Sequence, residues 1–267
     1  MKLSVFFEHI QRAAEQRGFS LEESLRAVRD MGYTMVEMDY DILAEDPAIL
    51  PALREAGLGI SNICCFFRFD SDPQHKRMQA LVKQAAESGA RQIMPIPGFY
   101  AQAGQQAAEL ERMLSAMQEL AALAQEAGLA VTIEDFDNIA SPIRDCAGIR
   151  WFLDRVPGLG VTFDTGNFRF CGEDVLSAFD ALSDRIVHVH LKDRAWDARY
   201  GASNLTAMDG TALHPCALGY GEIPFDRIFE QLRRIGYAET LTVEHFNCED
   251  QLTALWESAE FVKKHWH

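Results

Sequence analysis

Short runs rich in Val, Ile, Phe and Thr alternate along the chain with longer segments in which apolar residues recur at helical spacing. This is the pattern of repeated βα units around a parallel sheet. Eight strands are expected, at Leu3–Phe7, Met35–Asp39, Gly59–Cys65, Gln92–Ile96, Ala130–Asp135, Gly160–Thr165, Ile186–Lys192 and Leu241–Phe246. Buried parallel strands read as near-continuous apolar runs of this kind. Helical segments are expected at Leu21–Met31, His75–Ser88, Gln105–Ala127, Val175–Leu182, Phe225–Ile235 and Gln251–Lys263, with Glu, Gln, Arg and Lys on the outer face. Several end on a glycine that leads into the next strand, as at Gly89 and Gly236, where a left-handed residue closes the last helical turn. No Ser/Gly/Pro-rich linker interrupts the alternation, so residues 1–267 are expected to form one domain. Eight βα pairs in a chain of this length fit a closed (β/α)8 barrel of the α/β class better than a doubly wound sheet. A glycine-rich phosphate fingerprint would mark the latter, and none follows Phe7. One long connection, Arg194 to Tyr220, is expected without secondary structure on the catalytic side of the barrel.

Reactive residues of such a barrel sit at the C-terminal ends of its strands. The fifth strand ends in Ile133-Glu134-Asp135-Phe136, the sixth in Phe163-Asp164-Thr165-Gly166-Asn167, the seventh in His188-Val189-His190-Leu191-Lys192-Asp193, and the eighth in Val243-Glu244-His245-Phe246. A carboxylate at the mouth of an apolar strand is costly to desolvate unless it is paired or holds a metal. Glu134, Asp164, His190 and Glu244 together offer three oxygens and one nitrogen, a set that suits Mn²⁺, Mg²⁺ or Co²⁺, with Zn²⁺ less favoured. The competing reading is four separate salt-bridge partners. Structural ion pairs rarely repeat on four successive strands.

The succession IEDF, FDTGN, HVHLKD, GYGEIPF and GYAETLTVEHF resembles the xylose isomerase-like barrel superfamily, most closely from Val131 to Phe246. That grouping holds sugar isomerases, ketose 3-epimerases, inosose dehydratases, hydroxypyruvate isomerases and endonuclease IV. The resemblance implies that Glu134, Asp164, His190 and Glu244 hold one divalent metal, Mn²⁺ first, and that Glu134 and Glu244 are also the catalytic acid/base pair. It implies an isomerase or epimerase that abstracts a proton α to a carbonyl of a ketose or related polyol. The alternatives are an inosose-type dehydratase on the same metal site, and a barrel that is non-catalytic or depends on a partner chain. Many members carry His where this chain has Asn167, which makes a second metal doubtful.

Around this set, Asn167, His188, Lys192, Arg194, Trp196 and Asn62 are expected as substrate contacts. Asn167 suits a hydroxyl, Arg194 offers a planar fork of donors, and Trp196 offers an apolar wall to a sugar ring. His188 and Lys192 share the inward face of their strand with His190. A barrel-interior layer below the metal is the plainer reading of His188, and Asp193 is expected to cap the following loop. Glu8, Glu37, Cys64, Phe66 and Phe99 are expected at most to shape the pocket.

Composition narrows these readings. With 25 Lys+Arg against 40 Asp+Glu the formal charge is −15, which disfavours nucleic acid and with it the DNA-repair branch. Hydrophobic residues make up 48%, with no apolar run long enough for a membrane span and no signal-peptide pattern ahead of Glu8, so a cytoplasmic globular protein with no membrane partner is expected. The six cysteines show no CxxC spacing and are expected to be reduced. No phosphate-binding glycine loop is evident, although Arg194 leaves a phosphorylated substrate open. Homo-oligomer formation is left open as well.

Overall fold

The computed structural model describes residues 2–203 and 205–266. Seven parallel strands come first: β1 (Lys2–Phe6), β2 (Met35–Asp39), β3 (Gly59–Phe66), β4 (Gln92–Ile96), β5 (Ala130–Ile133), β6 (Leu159–Asp164) and β7 (Ile186–Lys192). Three short strands follow, β8 (Arg194–Ala195), β9 (Leu205–Thr206) and β10 (Ala212–Pro215), before β11 (Thr240–Glu244) completes the barrel. It pairs with β7, Thr242 opposite His190, and with β1, Lys2 opposite Thr240, so the sheet closes. The result is a (β/α)8 barrel.

Helices pack on the outside. α1 (Phe7–Arg17) and α2 (Leu21–Asp30) follow β1, α3 (Tyr40–Glu45) and α4 (Ile49–Glu55) follow β2, α5 (His75–Ser88) follows β3, and α6 (Gln106–Glu126) follows β4. α7 (Cys146–Leu153) follows β5, α8 (Phe168–Cys171) and α9 (Val175–Leu182) follow β6, α10 (Phe225–Arg234) precedes β11, and α11 (Gln251–His265) ends the described fold. Local chemistry sets their ends: Ser20 and Glu23 form a reciprocal capping box at α2, and the Asp145 carboxylate caps α7 through Gly148 N at 2.8 Å. α10 buries Phe225, Ile228, Phe229 and Leu232 and leaves Asp226, Glu230, Arg233 and Arg234 outside. No helix among the described residues is long and apolar enough to cross a membrane.

Strand alternation divides the side chains between two environments. Leu3, Val5, Val36, Met38, Val131, Ile133, Val161, Phe163, Leu241 and Val243 belong to one apolar core beneath the helices. Burial of each such side chain contributes about 1.5–3 kcal/mol. The alternate positions are polar and paired across the barrel: Ser4 Oγ lies 2.8 Å from Ser61 Oγ, and Thr162 donates to Thr132 at 2.8 Å. A polar interior gives way, at the C-terminal rim, to the charged groups described below.

Strand ends differ from the sequence reading at several places: β1, β5, β6 and β11 stop short of the expected residue, and β3 runs one residue beyond it. β1 stops at Phe6 because Phe7, Ile10 and Ala13 form the buried face of α1, and β5 stops at Ile133, one residue before Glu134. The connection after β7 is also more ordered than expected. β10 pairs antiparallel with β8 and with β9, while Leu213 and Ala207 pack on Phe170 from α8, which gives this excursion a small core of its own.

Candidate metal centre

β5, β6, β7 and β11 deliver Glu134, Asp164, His190 and Glu244 to one point on the C-terminal rim. One donor atom from each lies within 4.8 Å of the others, and all four side chains are buried. His190 Nδ1 contacts Glu134 Oε1 and stands 3.5 Å from Glu244 Oε2. Asp164 accepts from Gly166 N at 2.7 Å and Asn167 N at 2.6 Å through Oδ1, and its buried Oδ2 has no hydrogen-bond partner. A buried carboxylate oxygen with no hydrogen bond and the Lys192 ammonium 3.5 Å away, set among three buried acids, fits a divalent cation, as does the oxygen-rich donor set. Burial and the neighbouring charges of Asp164 and Glu134 push the Glu244 carboxyl up to about 8 against the pull of Lys192. Burial raises Glu134 too, opposed by His190 and reinforced by Asp164. A cation relieves both.

A second ring of contacts holds this one in place, and its centre is Glu37. This β2 carboxylate is fully buried; it receives Asn62 Nδ2 at 2.6 Å and His188 Nε2 at 2.9 Å, and both its oxygens lie 3.0 Å from His190 Nε2. Burial opposes its ionisation, but the imidazoles of His190 and His188 outweigh burial and hold it well below the usual carboxylate range. With Nε2 anchored on Glu37, His190 turns Nδ1 toward the acids, the outer-contact arrangement that fixes a ligating imidazole. The sequence assigned Glu37 no more than pocket shaping. Its signal was a charged residue at an inward position of a central strand.

Above the cluster lies a cavity of about 300 Å³. Asn167, Lys192 and Arg194 line it, as expected of substrate contacts. Lys192 Nζ meets Glu244 Oε1, donates to Asn167 Oδ1 at 2.7 Å and stands 3.5 Å from Asp164 Oδ2; Arg194 Nη2 donates to Asp137 at 2.8 Å. Burial alone would lower the lysine, but Asp164 and Glu244 outweigh it and raise it, so it stays an ammonium. The other three expected contacts are placed elsewhere. Asn62 and His188 lie below, held by Glu37, with Thr242 Oγ1 3.1 Å from His188 Nε2. Trp196 is 70% exposed on the excursion, beside a surface depression that it shares with Tyr200 and Tyr220. His245 stacks on His9 with centroids 4.2 Å apart.

The roof over the cavity is set by Asp193. Its carboxylate accepts from Arg194 N and Gly219 N and Gly221 N at 2.9 Å each, and from Ile223 N at 3.2 Å. Gly221 packs so tightly here that a Cβ would sit 2.2 Å from Asp193 Oδ1. Both ends of the excursion are thereby tied to one buried anion, and from it Leu205 and Pro215 reach the cavity wall.

Comparison with known proteins agrees with the barrel fold. The model of the family described as xylose isomerase-like TIM barrel matches residues 25–265. Inosose dehydratase 2 of Bacillus cereus is 32% identical over 143 residues, which covers 51% of this chain and 47% of that protein; the chain thus spans about half the length of the curated inosose dehydratases it matches. L-ribulose-5-phosphate 3-epimerase UlaE of Shigella flexneri is 23% identical over 267 residues, covering 90% of this chain and 88% of its own. The solved structure of the probable 3-DHS dehydratase AsbF of Bacillus anthracis has a TM-score of 0.76 at 17% identity, covering 98% of this chain and 99% of its own. A structure of L-ribulose 3-epimerase has a TM-score of 0.74 at 20% identity, covering 100% and 95%. At these identities the structural likeness is one of fold.

Proposed function

The chain belongs to the xylose isomerase-like TIM-barrel family, and we propose that it is a divalent-metal-dependent isomerase or epimerase that moves a proton on the carbon next to a carbonyl of a ketose or related polyol. The observation that carries this reading is the convergence of Glu134, Asp164, His190 and Glu244, four buried donors within 4.8 Å, beneath a cavity of small-molecule size. These four residues would hold the metal, Mn²⁺ being the ion we favour; when bound it supplies Lewis acidity, which polarises the carbonyl and acidifies the adjacent C–H.

The chain's own groups then handle the proton. Glu134 and Glu244 come from non-adjacent strands, β5 and β11, so the two carboxylates reach the cavity from different sides. Both are buried carboxylates that line the cavity, placed to accept a proton from carbon and to give one back. Removal by one and return by the other inverts the carbon and gives epimerisation. Removal and return by a single glutamate gives aldose–ketose isomerisation. The Lys192 ammonium, held by Asn167 and Glu244 at the cavity floor, supports a second reading. It offers a proton to a departing hydroxyl, which turns the same first step into the dehydration named in the inosose dehydratase relatives.

Incubation with ketoses and inososes in D₂O plus Mn²⁺ tests both readings at their shared step. Deuterium should enter the α-carbon with the wild type and fail to enter with Glu134→Gln. No uptake across the panel, or an unchanged rate in the variant, refutes the assignment.

A further inference from the structure

Among the described residues, the mouth of the cavity carries negative charge and hydrocarbon, and its cationic groups are paired. Glu8, Asp39 and Asp137 stand at its rim beyond the metal-binding acids, and Cys64, Met94, Ile96 and Phe136 form its apolar arc. Among the described residues that line it, Lys192 and Arg194 are the cationic groups, and both are engaged. Lys192 is shared between Glu244 and Asn167; Arg194 is buried, donating through Nη2 to Asp137 at 2.8 Å and Asn167 Oδ1 at 3.3 Å and through Nε to Gly166 O at 3.4 Å. A phosphate monoester needs unpaired donors or a helix N-terminus. Three helix N-termini border this cavity: α1, uncapped after Phe6 but with the Glu8 carboxyl in its first turn, α3, already capped by the Asp39 carboxylate, and the single turn of α8, which starts beside Asn167.

Glu8 also presents an unmet acceptor. Its Oε2 is buried without a hydrogen-bond partner, and the residue lines both this cavity and an adjoining one shared with Phe246 and Asn247. Burial lifts its carboxyl to about 7, with its own backbone N–H opposing and the charges of Asp39 and Glu37 adding to the rise. An acceptor left unpaired in a ligand cavity calls for a donor on the ligand, and hydroxyl is the donor that a polyol has to give.

We propose that the substrate is an uncharged polyol ketone and not its phosphate monoester, and that Glu8 accepts a hydrogen bond from one of its hydroxyls. This rests on the proton-transfer reading of the same site. Specificity of this kind combines an attractive contact for the hydroxyl with a lining in which the carboxyls of Glu8 and Asp39 stand where a dianion would need donors.

The test uses Mn²⁺-loaded protein and matched pairs, L-ribulose with L-ribulose 5-phosphate and D-fructose with D-fructose 6-phosphate, followed by deuterium uptake from D₂O. The free member of a pair should exceed the phosphorylated one in kcat/KM by about 100-fold or more. Glu8→Ala, which removes the acceptor, should raise KM for the free sugar by about 10-fold with kcat little changed. Faster exchange of a phosphorylated sugar, or a Glu8→Ala KM equal to that of the wild type, overturns the proposal while leaving proton transfer intact. Failure of the proton-transfer reading has a different signature, no exchange in any pair. The proposal is then decided by binding, as the melting temperature of the Mn²⁺-loaded protein with ribitol or with ribitol 5-phosphate. A rise with ribitol alone sustains it, and any other pattern overturns it.

Discussion

Replacement of Glu37 by glutamine keeps the side-chain volume and removes the charge on which two histidines converge. The carboxylate now receives Asn62 Nδ2 at 2.6 Å and His188 Nε2 at 2.9 Å, with His190 Nε2 at 3.0 Å from both oxygens. Glutamine retains one acceptor oxygen, and its amide must point N–H groups at an N–H donor. At least one of the three contacts is therefore lost in a fully buried setting, at about 1–3 kcal/mol. His190 loses the anchor that turns Nδ1 toward Glu134, Asp164 and Glu244. Losses of this outer kind weaken metal binding by about 10–100-fold, or about 1.4–2.7 kcal/mol. Glu37→Ala leaves the imidazoles without a counter-charge and should cost about 3–5 kcal/mol of stability as well. Titration with Mn²⁺, free ion counted by electron paramagnetic resonance, reads the affinity of Glu37→Gln. A melting curve without added metal separates that loss from a general loss of fold. Wild-type Mn²⁺ affinity in a folded Glu37→Gln variant would show that Glu37 does not orient the site.

Asp193→Asn replaces an anion that serves four backbone N–H groups with a neutral amide, and should cost about 2–4 kcal/mol. It should also speed proteolytic cleavage between residues 195 and 220, and an unchanged cleavage pattern would remove Asp193 from the anchoring role. Glu8 makes stability depend on pH in an identifiable direction. Because its carboxyl is raised from 4.5 to about 7 in the folded protein, the folded state binds this proton more tightly, and stability falls as pH climbs through that window, with the full penalty above it. The interval corresponds to about 3 kcal/mol, reduced to about 2 by residual solvent contact. Glu8→Gln should flatten this slope and gain about 2 kcal/mol above pH 7 in urea titrations. A slope equal to the wild type's would count against a half-buried Glu8 whose Oε2 has no partner.

The strands and the four metal-binding candidates were legible because two periodicities coincide in them. Val131, Ile133, Val161, Val189, Leu191 and Val243 announce strands by composition, and Glu134, Asp164, His190 and Glu244 interrupt them where the barrel rim must fall. Asp193 was legible as a loop cap for the same local reason: an acid directly after a strand. Glu37 was not, because its partners His188 and His190 lie 151 and 153 residues away, and nothing within Met35–Asp39 says which group the carboxylate will meet. Closure of the barrel decides that. β1 lies between β2 and β11, so the inward side chains of β2 and β7 face each other across the interior and not along a ladder. The same closure explains why Asn62 and His188 lie in the layer below the cavity. Inward positions of Ser4, Ser61, Glu37, Asn62, Thr132, Thr162, His188 and Thr242 are all polar and all buried, and hydrogen bonds link them, with Asn62 Oδ1 left without a partner. A polar residue at every second position of an apolar strand was thus the readable sign of an interior that is hydrogen-bonded, not greasy. Above such an interior, an acid of the converging set whose oxygen makes no hydrogen bond, as Asp164 Oδ2 makes none, marks the place where a cation could be held.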